Sequence, residues 1–343
     1  MKNISSIILL LVISCTGRNN TDSRQSDINL YVETELTVDS IFVSNITQNR
    51  EFQFLPFSNE MHIELNDSIN DLYNINFYAK EGFIMNQMWL DGENIVIRGK
   101  LTKRFEVDTV IGSRLYYVSV DHKKRYGDLL KSDADSASIN EFLLEELNKN
   151  IDNPYSIEIS KEFYRRNISR KNELQRIYEV LQHQDEMIKQ HGINPVLAIE
   201  NILTTDRIDF NKFQFLDLNS QIASIVPEKD KTLLLDFWFV GCAPCIIDHR
   251  SIQNQLDKLE EKKIKVIGIS IDHDHSLWKN FVEEKGYDWI NYRESDNHSE
   301  RMRAKLFISM FPTYMIVNPD GKIMLRTNSL EVVERYLGIK TES

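Results

Sequence analysis

The stretch Leu233-Leu234-Leu235-Asp236-Phe237-Trp238-Phe239-Val240-Gly241-Cys242-Ala243-Pro244-Cys245 decides how this chain folds. A continuous apolar run that ends at a glycine reads as a central strand covered on both faces, and two cysteines spaced C-x-x-C stand at the turn that follows. Past Cys245 the period becomes helical. Ile252, Leu256 and Leu259 fall at i, i+4 and i+7, with polar residues between them, so one stripe packs on the sheet. The cysteines therefore sit at a helix N-terminus, where unpaired backbone N–H groups and the positive end of the helix dipole favour thiolate over thiol. Cys242 is the expected attacking sulfur, and Cys245, one turn in, the expected resolving thiol that closes on a mixed disulfide at Cys242. Pro244 fits the first turn, because the N–H it lacks would have had no partner there. Asp236 is the one acid in the apolar strand. Such a group must be paired or take up a proton, which makes it the expected acceptor of the Cys245 proton; the plainer alternative is a purely structural hydrogen bond.

At 343 residues the chain is long enough for two or three domains. A net charge of −11 and a pI near 5.3 argue against a nucleic-acid surface, which needs a basic stripe. Cysteine use is sparse: Cys15, Cys242 and Cys245. A C-x-x-C can also be half of a zinc site, but neither a second C-x-x-C nor an H-x-x-x-H is present to complete one. Asp272-His273-Asp274-His275 and His249 are of metal-ligand type, yet adjacent alternating ligands read more simply as a polar loop opening a helix. No metal and no cofactor is expected beyond the redox-active Cys242–Cys245 disulfide itself.

From its start, the chain opens with Lys2 and a short apolar segment, Ile4 to Ile13, which predicts a signal peptide over residues 1–14, too short to span a membrane. Leu11-Val12-Ile13-Ser14-Cys15 resembles a bacterial lipobox and makes Cys15 the expected lipidation site. Residues 15–27 read as a polar tether. Short β-branched and alternating runs from 28 to 122 predict a compact antiparallel β domain, with Asp91-Gly92-Glu93 as a hairpin turn. Residues 123–205 predict a segment of two to four helices, with Ile139, Phe142, Leu143 and Leu147 on one face and Leu174, Ile177, Leu181 and Ile188 on another. His62, His122, His183 and His191 are read as structural or surface histidines. Over residues 206–343 the predicted order is β-α-β-α-β-β-α. It includes a helix from Glu300 to Phe307 capped by Ser299, a hairpin turned by Asn318-Pro319-Asp320-Gly321, and a last helix opened by Asn328 and Glu331 in a capping box. This order places a crossover parallel unit before an antiparallel hairpin, an α/β fold with a central mixed sheet flanked by helices.

These residues resemble the thioredoxin superfamily, and within it the membrane-anchored TlpA/ResA-type thiol:disulfide oxidoreductases. Asp236-Phe237-Trp238 before the C-x-x-C, Phe311-Pro312-Thr313 and Asp320-Gly321 carry the likeness, together with Ile269-Ser270-Ile271-Asp272 followed by Trp278. The resemblance covers roughly the last two fifths of the chain. It implies that Pro312 is cis and that Phe311 offers backbone groups to a substrate strand beside the disulfide. It implies partner contact at Trp238, Gly241, Ala243, Pro244, Phe311 and Thr313. Gly241 stands where the family commonly has Trp, and Ala243-Pro244 where it commonly has Gly-Pro, so the surface a partner meets differs here. The β and helical regions resemble a module that precedes thioredoxin domains in Bacteroidetes-type lipoproteins, which implies no activity. The implied function is exchange of the Cys242–Cys245 disulfide with thiol- or disulfide-containing envelope proteins, as a reductant fed by a membrane electron donor and serving cytochrome c maturation or disulfide repair. The implied location is the periplasm-facing envelope of a Gram-negative bacterium, held to the membrane through the lipid. The alternatives from other classes are a binding module, a thioredoxin-fold peroxidase, for which the Thr-x-x-Cys frame is missing, and a metal chaperone.

Overall fold

The computed structural model describes residues 26–45, 52–65 and 68–339. The signal segment, Cys15 and most of the tether lie outside the described residues. Chain contacts divide the molecule into two compact units, Met1–Val118 and Ser119–Ser343.

The first unit contains β1 (Ser26–Thr34), β2 (Val38–Asn45), β3 (Phe52–Pro56), β4 (Glu60–Leu65), β5 (Ile69–Ala79), β6 (Gly82–Ile84), β7 (Gln87–Gly92), β8 (Asn94–Leu101) and β9 (Phe105–Ile111). They form a four-stranded sheet, β4-β1-β8-β9, and a five-stranded one, β3-β2-β5-β6 with β7 also on β5. Alternate residues of both sheets, among them Ile28, Leu30, Ile41, Phe77, Ile95 and Ile97, share one buried core. Two expectations are corrected. The unit is not wholly antiparallel, because β1 lies between β4 and β8 and runs parallel to β8. Asp91-Gly92-Glu93 is not a hairpin turn: β7 pairs with β5 while β8 pairs with β1 and β9, so the segment is a corner between sheets. Gly92 takes φ +119° there, and a Cβ would stand 2.3 Å from the Gly112 carbonyl oxygen.

The division between units falls within α1 (Arg114–Lys131), after which come α2 (Ser136–Lys149), α3 (Ser156–Asn167), α4 (Lys171–Leu181), α5 (Glu186–Lys189) and α6 (Val196–Thr204). The segment has more helices than expected, since Pro154 and Pro195 mark interruptions between short helices rather than ends of long ones. Its stripes are buried as predicted at Ile139, Leu143, Leu147, Leu174, Ile177 and Leu181, whereas Ile188 sits on the separate α5. Asn140 and Asn167 donate to one another's amide oxygens at 3.0 Å in the buried helix interface. His122 is buried and bonded to the Tyr155 hydroxyl at 2.8 Å, a structural role.

The remainder is a seven-stranded sheet built from β10 (Phe215–Leu216), β11 (Ile222–Ala223), β12 (Thr232–Trp238), β13 (Ile264–Ser270), β14 (Ile290–Glu294), β15 (Thr313–Val317) and β16 (Ile323–Thr327) in the order β11-β10-β14-β13-β12-β15-β16. The helices α7 (Ala243–Asn254), α8 (Leu256–Glu261), α9 (His275–Lys285), α10 (Met302–Lys305) and α11 (Leu330–Leu337) join them. β12 is central, parallel to β13 and antiparallel to β15. Its period of two sends Leu233, Leu235 and Phe237 to one core and Leu234, with Ile252 and Leu259 of the helices, to the other. Covered on both faces, the strand reads as an unbroken apolar run.

Four local expectations differ. β14 lies where no strand is expected, because Asn291, Arg293 and Glu294 are polar yet buried. Arg293 donates to the backbone oxygens of Asp272 and His273 and to both carboxylate oxygens of Asp296. The single helix expected after Cys245 breaks at Gln255 into α7 and α8. Ser299 caps nothing, as α10 spans only Met302–Lys305. Asn328 is not the cap of α11; Ser329 is, accepting from Val332 N–H. The Asn318–Gly321 turn joins β15 to β16 as a hairpin, with Gly321 at φ +85°.

Candidate active site

Cys242 occupies the N-cap position of α7, and the Cys245 N–H points at its Sγ at 3.3 Å. The two sulfurs are bonded, with Cα atoms 5.3 Å apart. Helix and strand fix this arrangement together: β12 ends at Trp238, the chain turns through Phe239 to Gly241, and Pro244 enters the first turn. Asp272 steadies that turn, accepting from the Val240 N–H at 3.0 Å and the Ser270 hydroxyl at 2.7 Å. Asp274 caps α9, and His275 bonds Ser220 Oγ at 2.9 Å, so the polar run after β13 is occupied structurally. Among the described residues, no three His, Cys, Asp or Glu side chains gather as a metal site.

Cys245 is fully buried, and Cys242 is 4% exposed. Gly241, Ala243 and Pro244 are exposed around them and form the rim. Phe311, half-buried, packs on the cysteine cluster and meets Phe239 edge to face at 5.5 Å. The Phe311-Pro312 peptide is cis. Asn328 Nδ2 donates to the Pro312 carbonyl at 2.5 Å and to Thr313 Oγ1 at 2.8 Å, which fixes the segment in place. Two residues expected at the partner surface lie elsewhere. Trp238 is fully buried, since its position on β12 turns it beneath α7, and Thr313 is buried with its hydroxyl donated to the Met310 carbonyl.

One turn along α7 from Cys245, His249 meets Asp236 of β12. Asp236 and His249 are both fully buried, and Asp236 Oδ2 lies 2.7 Å from His249 Nε2. Asp236 Oδ1 and His249 Nδ1 have no other partner among the described residues. His249 follows Cys245 by one helical turn, so both face the sheet from α7. Trp238, Tyr287 and Trp289 enclose the imidazole, with ring centroids 4.8, 4.8 and 5.4 Å away. Gly268, opposite Asp236 on β13, is needed here: a Cβ would stand 2.5 Å from Asn291 Oδ1 and within 3.2 Å of two indole nitrogens. The signal for His249 was its place at Cys245+4 on the stripe that continues to Ile252, a position that dictates burial.

The surroundings of this pair are acidic and aromatic. Asp248 carries a carboxyl pushed up by burial, a shift that a 2.9 Å hydrogen bond from Tyr314 opposes and the nearby Asp236 reinforces. Burial, with Asp236 adding to it, raises the Tyr287 hydroxyl to about 12 and the Tyr314 hydroxyl further still, so both phenols remain protonated at neutral pH.

A family model described as thioredoxin-like matches residues 230–323. The thiol-disulfide oxidoreductase ResA of Bacillus thuringiensis (strain Al Hakam) is 23% identical over 128 residues, covering 36% of this chain and 72% of the relative. That of Bacillus cereus (strain ZK / E33L) is 25% identical over 130 residues, covering 38% and 68%. Among solved structures, the thioredoxin domain of a thiol-disulfide oxidoreductase from Bacteroides vulgatus is 25% identical, with a TM-score of 0.33 over 36% of this chain and 92% of its own. A thiol:disulfide interchange protein from a Bacteroides species is 25% identical at a TM-score of 0.33, over 38% and 88%. The C-terminal domain, with a C-x-x-C disulfide at the head of α7, is thioredoxin-like over residues 230–323 and similar to the ResA thiol-disulfide oxidoreductases.

Proposed function

We propose that the chain is an envelope-anchored reductant that exchanges electrons with partner proteins through Cys242 and Cys245, anchored through lipid on Cys15. The observation that carries the exchange reading is the Cys242–Cys245 bond at the N-terminus of α7, a helix that one turn after Cys245 carries His249, bonded to the buried Asp236.

In the reduced state the Cys242 thiolate, favoured by the helix terminus, attacks one sulfur of a partner disulfide. A mixed disulfide forms and the partner's other sulfur leaves as a thiolate. Cys245 then gives up its proton, attacks Cys242 Sγ and releases the second partner sulfur. Two electrons pass to the partner, and the chain ends as the disulfide. Asp236 is the acceptor for the Cys245 proton, and His249 is a positioning residue that holds the carboxylate in the apolar layer. Working as a reductant in an oxidising compartment calls for a membrane electron donor.

A Cys245→Ser variant tests the order of events. It should accumulate mixed disulfides with envelope proteins, visible on non-reducing gels and cleared by dithiothreitol. Cys242→Ser should accumulate none; trapping by Cys242→Ser alone would reverse the assigned roles, equal trapping by both would contradict a fixed order, and trapping by neither would remove the exchange reading. Intact mass of the membrane-extracted chain tests the anchor, which requires a diacylglyceryl adduct on Cys15.

A further inference from the structure

Between the helical segment and the sheet domain of the second unit lies a cleft of about 1100 Å³. One wall comes from α3 and the chain joining α5 to α6, the other from residues 303–311. Phe311 belongs both to this lining and to the apolar cluster around Cys242 and Cys245, so the cleft runs up to the redox site. We propose that this cleft receives an extended segment of the partner polypeptide flanking its reacting cysteine, and that it selects segments carrying bulky apolar and acidic residues. The proposal rests on the exchange reading above.

Three observations support that occupant. First, large apolar side chains stand open on opposite walls: Leu197 is 52% exposed and Phe307 41%. Such a pair in a cleft that reaches the redox site offers apolar area for a partner to cover. Second, Phe307 is held in the left-handed region at φ +50°, a backbone state that costs a bulky residue about 1–2 kcal/mol. Arg326, buried within β16, maintains it by donating to the Leu306 carbonyl at 3.0 Å and the Phe307 carbonyl at 3.3 Å. The surrounding structure thus holds an unfavourable conformation that presents this ring at the cleft.

Third, the chain carries −11 net charge, yet the cleft lining includes Lys161, Arg165, Lys189 and Arg303 and no carboxylate. Each cation is paired with a glutamate outside the lining, Lys161 with Glu158 at 3.0 Å, Arg165 with Glu162 at 2.9 Å, Lys189 with Glu186 at 2.9 Å and Arg303 with Glu294 at 3.5 Å. The Arg165–Glu162 and Lys189–Glu186 pairs are partly open, with Arg165 47% and Glu186 73% exposed, and contribute little, so a partner carboxylate can share these two cations at small cost, while Lys161 and Arg303 sit in more buried pairs. The helical segment thereby becomes part of substrate selection, a role the C-x-x-C domain cannot supply alone.

The test compares two symmetric peptide disulfides of equal length. In one, the cysteine is flanked on both sides by Phe, Leu and Glu; in the other, by Ser, Gly and Lys. Hydroxyethyl disulfide serves as a substrate too small to reach the cleft. The reduced full-length chain should show kcat/KM roughly tenfold higher for the first peptide, carried mostly by KM. Leu197→Ser and Phe307→Gly should each erase most of that preference while leaving the rate with hydroxyethyl disulfide unchanged. Glycine adopts the left-handed conformation freely, so Phe307→Gly keeps the fold. Equal rates for the two peptides with the wild-type chain, or an unaltered preference in both variants, would overturn the proposal. No reaction with hydroxyethyl disulfide would instead remove the exchange reading on which it rests. A concentration-dependent sedimentation coefficient that Phe307→Gly abolishes would assign the cleft to a second copy of the chain, and also overturns it.

Discussion

Replacing His249 by leucine should cost about 3–5 kcal/mol, because it strands Asp236 in a dry site. At 2.7 Å, with both side chains fully buried, each partner compensates the other's lost hydration. The intact pair therefore contributes little net, whereas either half alone is an unsatisfied buried polar group and expensive. A double-mutant cycle exposes this asymmetry. Asp236→Asn leaves an amide beside His249, and the double variant Asp236→Asn/His249→Leu removes both ionisable groups. The double variant should be more stable than the two single costs predict by roughly 2–3 kcal/mol. The assay is chemical denaturation of the oxidised chain at pH 7, read through Trp238, Trp278 and Trp289, three of its four tryptophans. A single cost for His249→Leu below about 1 kcal/mol, or strictly additive costs, would refute the reasoning. The same variants should slow closure of Cys245 on a preformed mixed disulfide, whereas a purely structural pair would leave that rate where it is.

Three further outcomes follow from other parts of the molecule. Burial pushes the Glu146 carboxyl up, but Arg125 and Lys149 more than reverse this and hold it at about 2. A depressed folded value means that the stabilisation is complete above the ordinary value of 4.5 and fades as pH falls towards 2. At 1.36 kcal/mol per pH unit it amounts to roughly 3 kcal/mol, so the stability difference between wild type and Glu146→Gln should shrink over that window, and a constant difference would contradict the pairing. Gly268→Ala should destabilise the sheet domain by about 1–3 kcal/mol through overpacking against Asn291, measured by the same denaturation. Asp272→Ala should speed hydrogen exchange at the Val240 amide by about tenfold or more while the amides of β12 keep their protection, since one hydrogen bond of roughly 1–3 kcal/mol anchors that turn.

Much of the C-terminal domain was legible because its signals are local. An apolar run covered on both faces, a glycine, two cysteines and a helical stripe each act within a dozen residues, and β12 with α7 formed where they said. The Asn318–Gly321 hairpin was legible for the same reason. What escaped depends on partners distant in sequence. β14 looks polar, yet Arg293 is buried there and reaches the carbonyls of Asp272 and His273, some twenty residues away. Asn328 resembles a helix cap, yet its amide is taken by the Pro312 carbonyl, which leaves Ser329 to cap α11. The sequence marks Asp236 as a buried acid needing a partner but does not name His249 as that partner, because a histidine near a C-x-x-C reads equally as a metal ligand, and only its place one turn inside Cys245 dictates burial. The helical wall of the cleft could not be read at all, since nothing between Lys161 and Ala198 announces that it meets residues 303–311.

Redox equilibration with glutathione tests the central claim most directly. The chain is incubated across a series of reduced-to-oxidised ratios, and the thiols of Cys242 and Cys245 are quantified by alkylation and mass. The account predicts a single two-electron transition between dithiol and disulfide, at a potential below the glutathione couple of about −240 mV, as a reductant requires. A potential well above that couple would contradict the direction of transfer, and two thiols that titrate independently without forming a disulfide would contradict the exchange function itself.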